Sequence, residues 1–128
     1  MDLVFFRDSK GELSCLMDQC SHRGAALSKG KVLDNGHLQC PFHGLEFQGN
    51  GECRLIPANG VHHQGDLARY RVRFFRTMEK HGIIYLWYGD GDNSTEGLPF
   101  HEELDSSFVY SEFTDHWKIH YSRAIENQ

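Results

Sequence analysis

No apolar run in this chain approaches the roughly 20 residues that a membrane-spanning helix needs, so a membrane partner is not expected. The N-terminus MDLVFFRDSK lacks a basic region ahead of an apolar stretch and lacks a small-residue cleavage site, which leaves a cytoplasmic location as the expectation. Positive charge is also in short supply: 13 Lys and Arg against 18 Asp and Glu give a formal net charge of -5. That balance argues against a nucleic-acid-binding surface. Internal repeats and low-complexity tracts are absent. What remains, 128 residues with 39% hydrophobic and 24% charged content, is the composition of one globular domain with a modest core.

Cysteine is sparse too, with four residues, but two of them are informative. Cys20 and His22 lie in CSHRG at 20–24, and Cys40 and His43 lie in CPFHG at 40–44, a Cys-x-His and a Cys-x-x-His pair. Two thiolates suit one iron, while two neutral imidazoles on a second iron remove negative charge and raise the potential relative to an all-cysteine cluster. This is the ligand pattern of a Rieske 2Fe-2S centre, which carries one electron at a time. A structural zinc site is the competing reading, since two Cys and two His can also close a tetrahedron. Zinc knuckles usually set their ligands two or more residues apart and keep the His pair together, which this spacing does not. Cys15 and Cys53 are then left over, and in a reducing compartment they read as two buried thiols rather than a disulfide.

The flanking residues carry a more specific likeness. CSHRGAALSKGKV followed by CPFHGLEFQGNGEC resembles the Rieske domain of bacterial aromatic-ring-hydroxylating oxygenases and their O-demethylase relatives. LVFFRDSKGEL at 3–13 is similar to the hairpin entering that domain, and GIIYLWYGD at 82–90 to its closing strand. The resemblance implies that Cys20 and Cys40 bind one iron through sulfur, and His22 and His43 the other through ring nitrogen. Rieske proteins of the cytochrome bc type carry a further cysteine in each cluster loop. Here Ala25 and Ala26 follow HRG and Phe42 occupies the second loop, which points to the lower-potential oxygenase and ferredoxin branch. Leu45 departs from the Trp that follows this motif in many ring dioxygenases, and it leaves the substrate subclass open.

In the oxygenases, a segment similar to WKIHYSRAIEN at 117–127 opens the catalytic domain, and a mononuclear non-haem iron held by two His and one carboxylate follows. The resemblance therefore implies a Rieske domain over residues 1–100 and the beginning of an incomplete catalytic domain over 101–128. The implied function is one-electron transfer as the electron-entry domain of a Rieske-type oxygenase acting on an aromatic or other organic substrate, with the second iron expected only downstream. A reductase or ferredoxin donor is the implied partner, and homo-oligomerisation belongs to the full-length protein. The alternative is a stand-alone ferredoxin-type carrier, which would not require the segment from His101 to Gln128.

Short alternating segments broken by glycine and polar pairs predict an all-β domain up to residue 90, an antiparallel Rieske-type sandwich with two ligand loops. LVFFRD and ELSCLM flank Ser9-Lys10-Gly11, KVLD and HLQC flank Asn35-Gly36, and LEFQ and ECRL flank Gly49-Asn50-Gly51. The first ligand loop precedes KVLD, and the second joins HLQC to LEFQ. Gly24 and Gly44 are the candidates for close backbone approach to a cluster. YRVRFFRTM and GIIYLWY predict a longer strand pair, with Val72, Phe74, Ile84, Leu86 and Trp87 in the core.

Beyond Asp90, FVYSEFTDHWKIHYSRAIENQ predicts a strand running into a helix, with Asp115 as N-cap and Trp117, Tyr121, Ala124 and Ile125 on one face. His116 and His120 share that helix at i, i+4 but have no third ligand at metal-site spacing. His62, His63, His37, His81 and His101 read as solvent-exposed. Asp66, Glu102, Glu103 and Asp105 read as a solvated surface, and Arg69, Arg71, Arg73 and Arg76 as a solvated strand face.

Overall fold

Val4 and Phe6 alternate with the exposed Phe5 and Arg7, and this period of two puts one face of β1 (Leu3–Arg7) inward in the computed structural model of the chain. The structure describes residues 1–60, 62–63, 65–89, 107–109, 111 and 113–126. It divides into two units, Met1–Asn93 and Ser94–Gln128.

In the first unit, β1 pairs antiparallel with β2 (Leu13–Met17) across the expected turn, where Asp8 Oδ1 accepts the N–H of Lys10 (2.8 Å) and of Glu12 (2.9 Å). β2 is the central strand, with β7 (Phe74–Phe75) on its other side. A second antiparallel sheet runs in the order β3 (Lys31–Val32), β4 (Leu38–Gln39), β5 (Glu46–Phe47) and β6 (Cys53–Leu55). Val4, Phe6 and Leu16 of the first sheet meet Leu38, Phe47 and Cys53 of the second in one core, with Leu27, Leu45 and Val72 added from the connections. Two sheets sharing a core in this way form the antiparallel sandwich expected of the sequence.

The long strand pair near residue 80 is divided. β8 (Thr77–Lys80) pairs with β9 (Ile83–Leu86) as a separate two-stranded sheet, whereas β7 joins β2. Arg76 stands at the break, and its carbonyl accepts the Trp87 N–H at 2.9 Å. The inward phase therefore falls on Phe75, 5% exposed, and not on the expected Phe74, 43% exposed. Ile84 and Trp87 are also exposed, because a two-stranded ribbon has little sheet to hide behind. Val72 is buried as expected.

In the second unit, the helix is shorter than its sequence pattern suggests. α1 spans only Tyr121–Glu126. Asp115 does not cap it: its carboxylate accepts the His116 N–H (2.8 Å) and the Trp117 indole N–H (2.6 Å), both on residues that lie ahead of the helix. His120 takes the capping place, its Nδ1 accepting from the Ser122 N–H at 3.4 Å. The strand expected over FVYSEF lies partly outside the described residues, and those described there are not in a strand. Among the described residues no helix is long and apolar enough to cross a membrane.

Candidate metal centre

The two ligand motifs fold into loops of the same design, though one leaves β2 and the other joins β4 to β5. In the first, the Cys20 N–H donates to the Ala25 carbonyl (2.8 Å) and the Gly24 N–H donates to the Cys20 carbonyl (2.8 Å). In the second, the Cys40 N–H donates to the Leu45 carbonyl (2.8 Å) and the Gly44 N–H to the Cys40 carbonyl (3.1 Å). Closing each turn requires a left-handed residue four places after the cysteine, and both Gly24 and Gly44 have φ of +72°. Other contacts fix each loop to its surroundings. Ser21 Oγ donates to the Tyr70 carbonyl at 2.5 Å, and the Pro57 ring lies against Gly44.

This folding brings the expected ligands together as two pairs, cysteine with cysteine and histidine with histidine. Cys20 and Cys40 are buried, each 3% exposed, and near enough that the charge of Cys40 acts on the Cys20 thiol. The imidazoles of His22 and His43 lie at the surface, ring centroids 4.8 Å apart and tilted by 57°, with the exposed Phe42 ring 4.0 Å from His43. Burial pushes the Cys20 thiol up, and the neighbouring Cys40 pushes in the same direction. Backbone N–H groups of His22 and Arg23 oppose the rise by donating toward its sulfur. The Cys20 thiol in this setting ionises with difficulty unless a cation sits beside its sulfur, and the loop N–H groups support the negative charge that then results. A hollow of about 330 Å³, lined by Lys29, Lys31, Cys40 and Pro41 among others, opens beside the second loop.

Among the described residues, no three His, Cys, Asp or Glu side chains converge on a single ion position. A tetrahedral zinc site would bring four donors to one point, whereas a cluster of two irons takes two donors at each end. A buried sulfur pair and an exposed nitrogen pair, each drawn from both loops, have the second layout. The donor set therefore fits a 2Fe-2S cluster.

The remaining candidates separate from this centre. His62 and His63 are exposed, and Asp66 is used locally, its carboxylate accepting the Ala68 N–H at 2.8 Å. His101, Glu102, Glu103 and Asp105 lie outside the described residues. His116 and His120 do not share a helix, so their i, i+4 relation does not arise. Arg69 and Arg73 lie over the rings of Tyr70 (4.8 Å) and Phe75 (5.0 Å), on a segment that is mostly not strand. Cys15 and Cys53 are free buried thiols, as read from the sequence, and of the two Cys53 lies close enough to Cys20 for its charge to be felt.

His37 corrects its expectation. It is not a solitary exposed residue: its Nδ1 lies 3.2 Å from Glu46 Oε2, and the two side chains are only 18% and 10% exposed. The Asn35 side-chain N–H donates to the same oxygen at 3.3 Å. The available signal was Glu46 itself, an acidic residue between the apolar Leu45 and Phe47, which a buried place tolerates only with a partner.

Among known protein families, the one described as the Rieske [2Fe-2S] domain matches residues 1–76. The chain is 45% identical over 89 residues to the oxygenase component of dicamba O-demethylase from Stenotrophomonas maltophilia, covering 69% of this chain and 25% of that protein. It is 37% identical over 125 residues to the chloroplastic chlorophyllide a oxygenase of Chlamydomonas reinhardtii, covering 97% of this chain and 18% of that one. The crystal structure of dicamba monooxygenase superposes with a TM-score of 0.62 at 40% identity, over 73% of this chain and 29% of its own. The chain thus spans about a quarter or less of the length of these two curated relatives.

Proposed function

The chain belongs to the Rieske [2Fe-2S] domain family, and from that premise we propose that it is the electron-entry portion of an oxygenase that acts on an organic substrate. Cys20 and Cys40 hold one iron of the cluster, and His22 and His43 hold the other. The observation that carries this reading is the pairing of the ligands by type, two neighbouring buried thiols and two exposed imidazoles 4.8 Å apart. When bound, the cluster stores and releases one electron at a time.

The protein's own residues define how that electron is reached. The buried thiols and their loop N–H groups shield one end from water, while His22, His43 and Phe42 present the other end to a docking protein. A reductase or ferredoxin supplies electrons, and they pass on to a catalytic domain that lies in a longer protein. Hydroxylation or demethylation at a mononuclear iron belongs to that domain, with a cytoplasmic location and homo-oligomeric assembly of the whole. Support for the longer protein comes from the oxygenase relatives, of which this chain spans only a fraction, and from alignment with chlorophyllide a oxygenase over 97% of the chain, past the end of the Rieske match. A stand-alone carrier is the second reading, and the self-contained unit Met1–Asn93 favours it.

Anaerobic reconstitution with iron and sulfide tests the site, with visible absorption and electron paramagnetic resonance of the reduced protein as readouts. Two irons and two sulfides per chain, reduced by one electron, are expected. A colourless protein that binds a single zinc ion overturns the assignment. Expression of the open reading frame continued past Gln128, assayed for oxygen uptake with aromatic acids, separates the oxygenase from the carrier.

A further inference from the structure

The second ligand loop rests on very little backbone. β4 and β5, which carry Cys40 and His43 between them, contribute only two register pairs, Leu38↔Phe47 and Gln39↔Glu46. On the far side of β5 the register with β6 shifts at Glu46/Phe47, so that pairing does not fix β5 firmly either. Leu38 and Phe47 anchor the apolar face, at 3% and 0% exposure. The opposite face carries Glu46, and diagonally across from it is His37, two residues before Gln39.

We propose that Glu46, held by His37 and Asn35, is a positioning residue for the second ligand loop, fixing the β4–β5 pair from which Cys40 and His43 project. The proposal rests on the cluster assignment above. One carboxylate oxygen of Glu46 gathers His37 Nδ1 at 3.2 Å and Asn35 Nδ2 at 3.3 Å. Asn35 in turn accepts the His37 N–H at 3.0 Å, so the β3–β4 turn, the start of β4 and β5 form one hydrogen-bonded unit. The link to the ligand is short: the residue before Glu46 is Leu45, whose carbonyl receives the Cys40 N–H at 2.8 Å. A shift of Glu46 passes through one peptide to the bond that closes the loop. A carboxylate at this buried place costs desolvation that an apolar residue would avoid, so packing alone does not account for it.

The reconstituted full chain tests this with Glu46→Ala, Glu46→Gln and His37→Gln. The readouts are the rate at which a chelator bleaches the visible absorbance, the resonance spectrum of the reduced cluster, and the far-ultraviolet unfolding midpoint. Glu46→Ala removes both hydrogen bonds and should bleach about fivefold faster or more, the factor that losing even one buried hydrogen bond sets, and should alter the resonance line shape. Glu46→Gln keeps an oxygen facing His37 and Asn35 and should restore most of the wild-type rate and line shape. Should Glu46→Ala not fold, His37→Gln removes one arm of the network and carries the same expectation of faster bleaching. Variants that bleach at the wild-type rate with an unchanged spectrum overturn the proposal, even if their unfolding midpoint falls. A wild-type chain that takes up no cluster instead overturns the ligand assignment on which the proposal stands.

Discussion

The imidazoles of His22 and His43 come from different loops yet meet at 4.8 Å between ring centroids at the surface, while the neighbouring thiols of Cys20 and Cys40 from the same two loops are buried. The sulfur end is closed and the nitrogen end open. This asymmetry orders the consequences of substitution, because a ligand lost at the closed end has no water to replace it, whereas one changed at the open end has.

Cys20→Ser and Cys40→Ser should each abolish cluster assembly. Removing one thiolate leaves an iron under-coordinated at the buried end. The other free cysteines, Cys15 and Cys53, are themselves buried in the fold. Iron and sulfide assays on the purified variants check this, and a full complement of both in either variant contradicts the ligand assignment.

His43→Cys should be milder at the exposed end, retaining a cluster whose potential falls. A charged thiolate replaces a neutral imidazole, and the spread between all-cysteine and mixed ligation sets a drop on the order of 100 mV or more. Redox titration followed by visible absorbance measures it, and an unchanged or raised potential contradicts histidine ligation.

Gly44→Ala should destabilise the protein by about 1–2 kcal/mol, the cost of placing a Cβ on a left-handed residue. Gly24→Ala, at the same φ of +72°, should cost less. The added methyl at position 44 would come within 3.1 Å of the rigid Pro57 ring, while at position 24 it meets the flexible end of Gln19 at 3.2 Å. Denaturant unfolding of the two variants side by side gives the difference. Equal losses would mean that backbone strain alone operates.

What could be read from the sequence follows the range of the interaction involved. The CSHRG and CPFHG loops and the Asn35-Gly36 turn are local patterns, and each lies where spacing and turn chemistry put it. The first hairpin also keeps its expected limits, because alternation in LVFFR and a glycine turn agree with each other. Longer-range choices were not legible. Periodicity cannot tell whether Phe74 or Phe75 faces inward once Arg76 divides the strand between two sheets. The apolar spacing of Trp117, Tyr121 and Ile125 suits a helix, but the Asp115 carboxylate bonds to His116 and Trp117 instead and the helix begins at Tyr121. The His37–Glu46 contact needed the β4–β5 register before the two residues could be seen as neighbours.

α1 should exchange its amide hydrogens within the fastest class. Six residues give a helix too few internal hydrogen bonds to offset the cost of nucleation, and Tyr121 and Ile125 are 71% and 70% exposed, so packing adds little. Hydrogen exchange with mass spectrometry over residues 115–126 measures this. Protection comparable to that of β2 would show that the helix has found a partner surface in solution.

Stability should fall as pH rises from about 9 toward 11, with Cys15 as one identifiable source. Cys15 lies fully buried on the central strand, paired across to Phe5 and Phe75, and burial pushes its thiol up to about 11 from an ordinary 9.0. Below pH 9 the thiol is protonated in both folded and unfolded chains and adds no slope. Between 9 and 11 the unfolded chain releases the proton while the folded chain keeps it, so the unfolded state binds fewer protons and gains in relative stability. A rise of that size corresponds to at most about 2–3 kcal/mol lost across the window. Cys15→Ala should start lower at pH 8 by about 1 kcal/mol, because a small buried group has been removed. Its unfolding free energy should then decline less steeply between pH 9 and 11 than that of the wild type, leaving only what Cys53 and the other groups contribute. Denaturant titrations at half-unit pH intervals give both curves. Parallel slopes for the two proteins would mean that water reaches Cys15 in the folded state and that the central strand opens more readily than its burial implies.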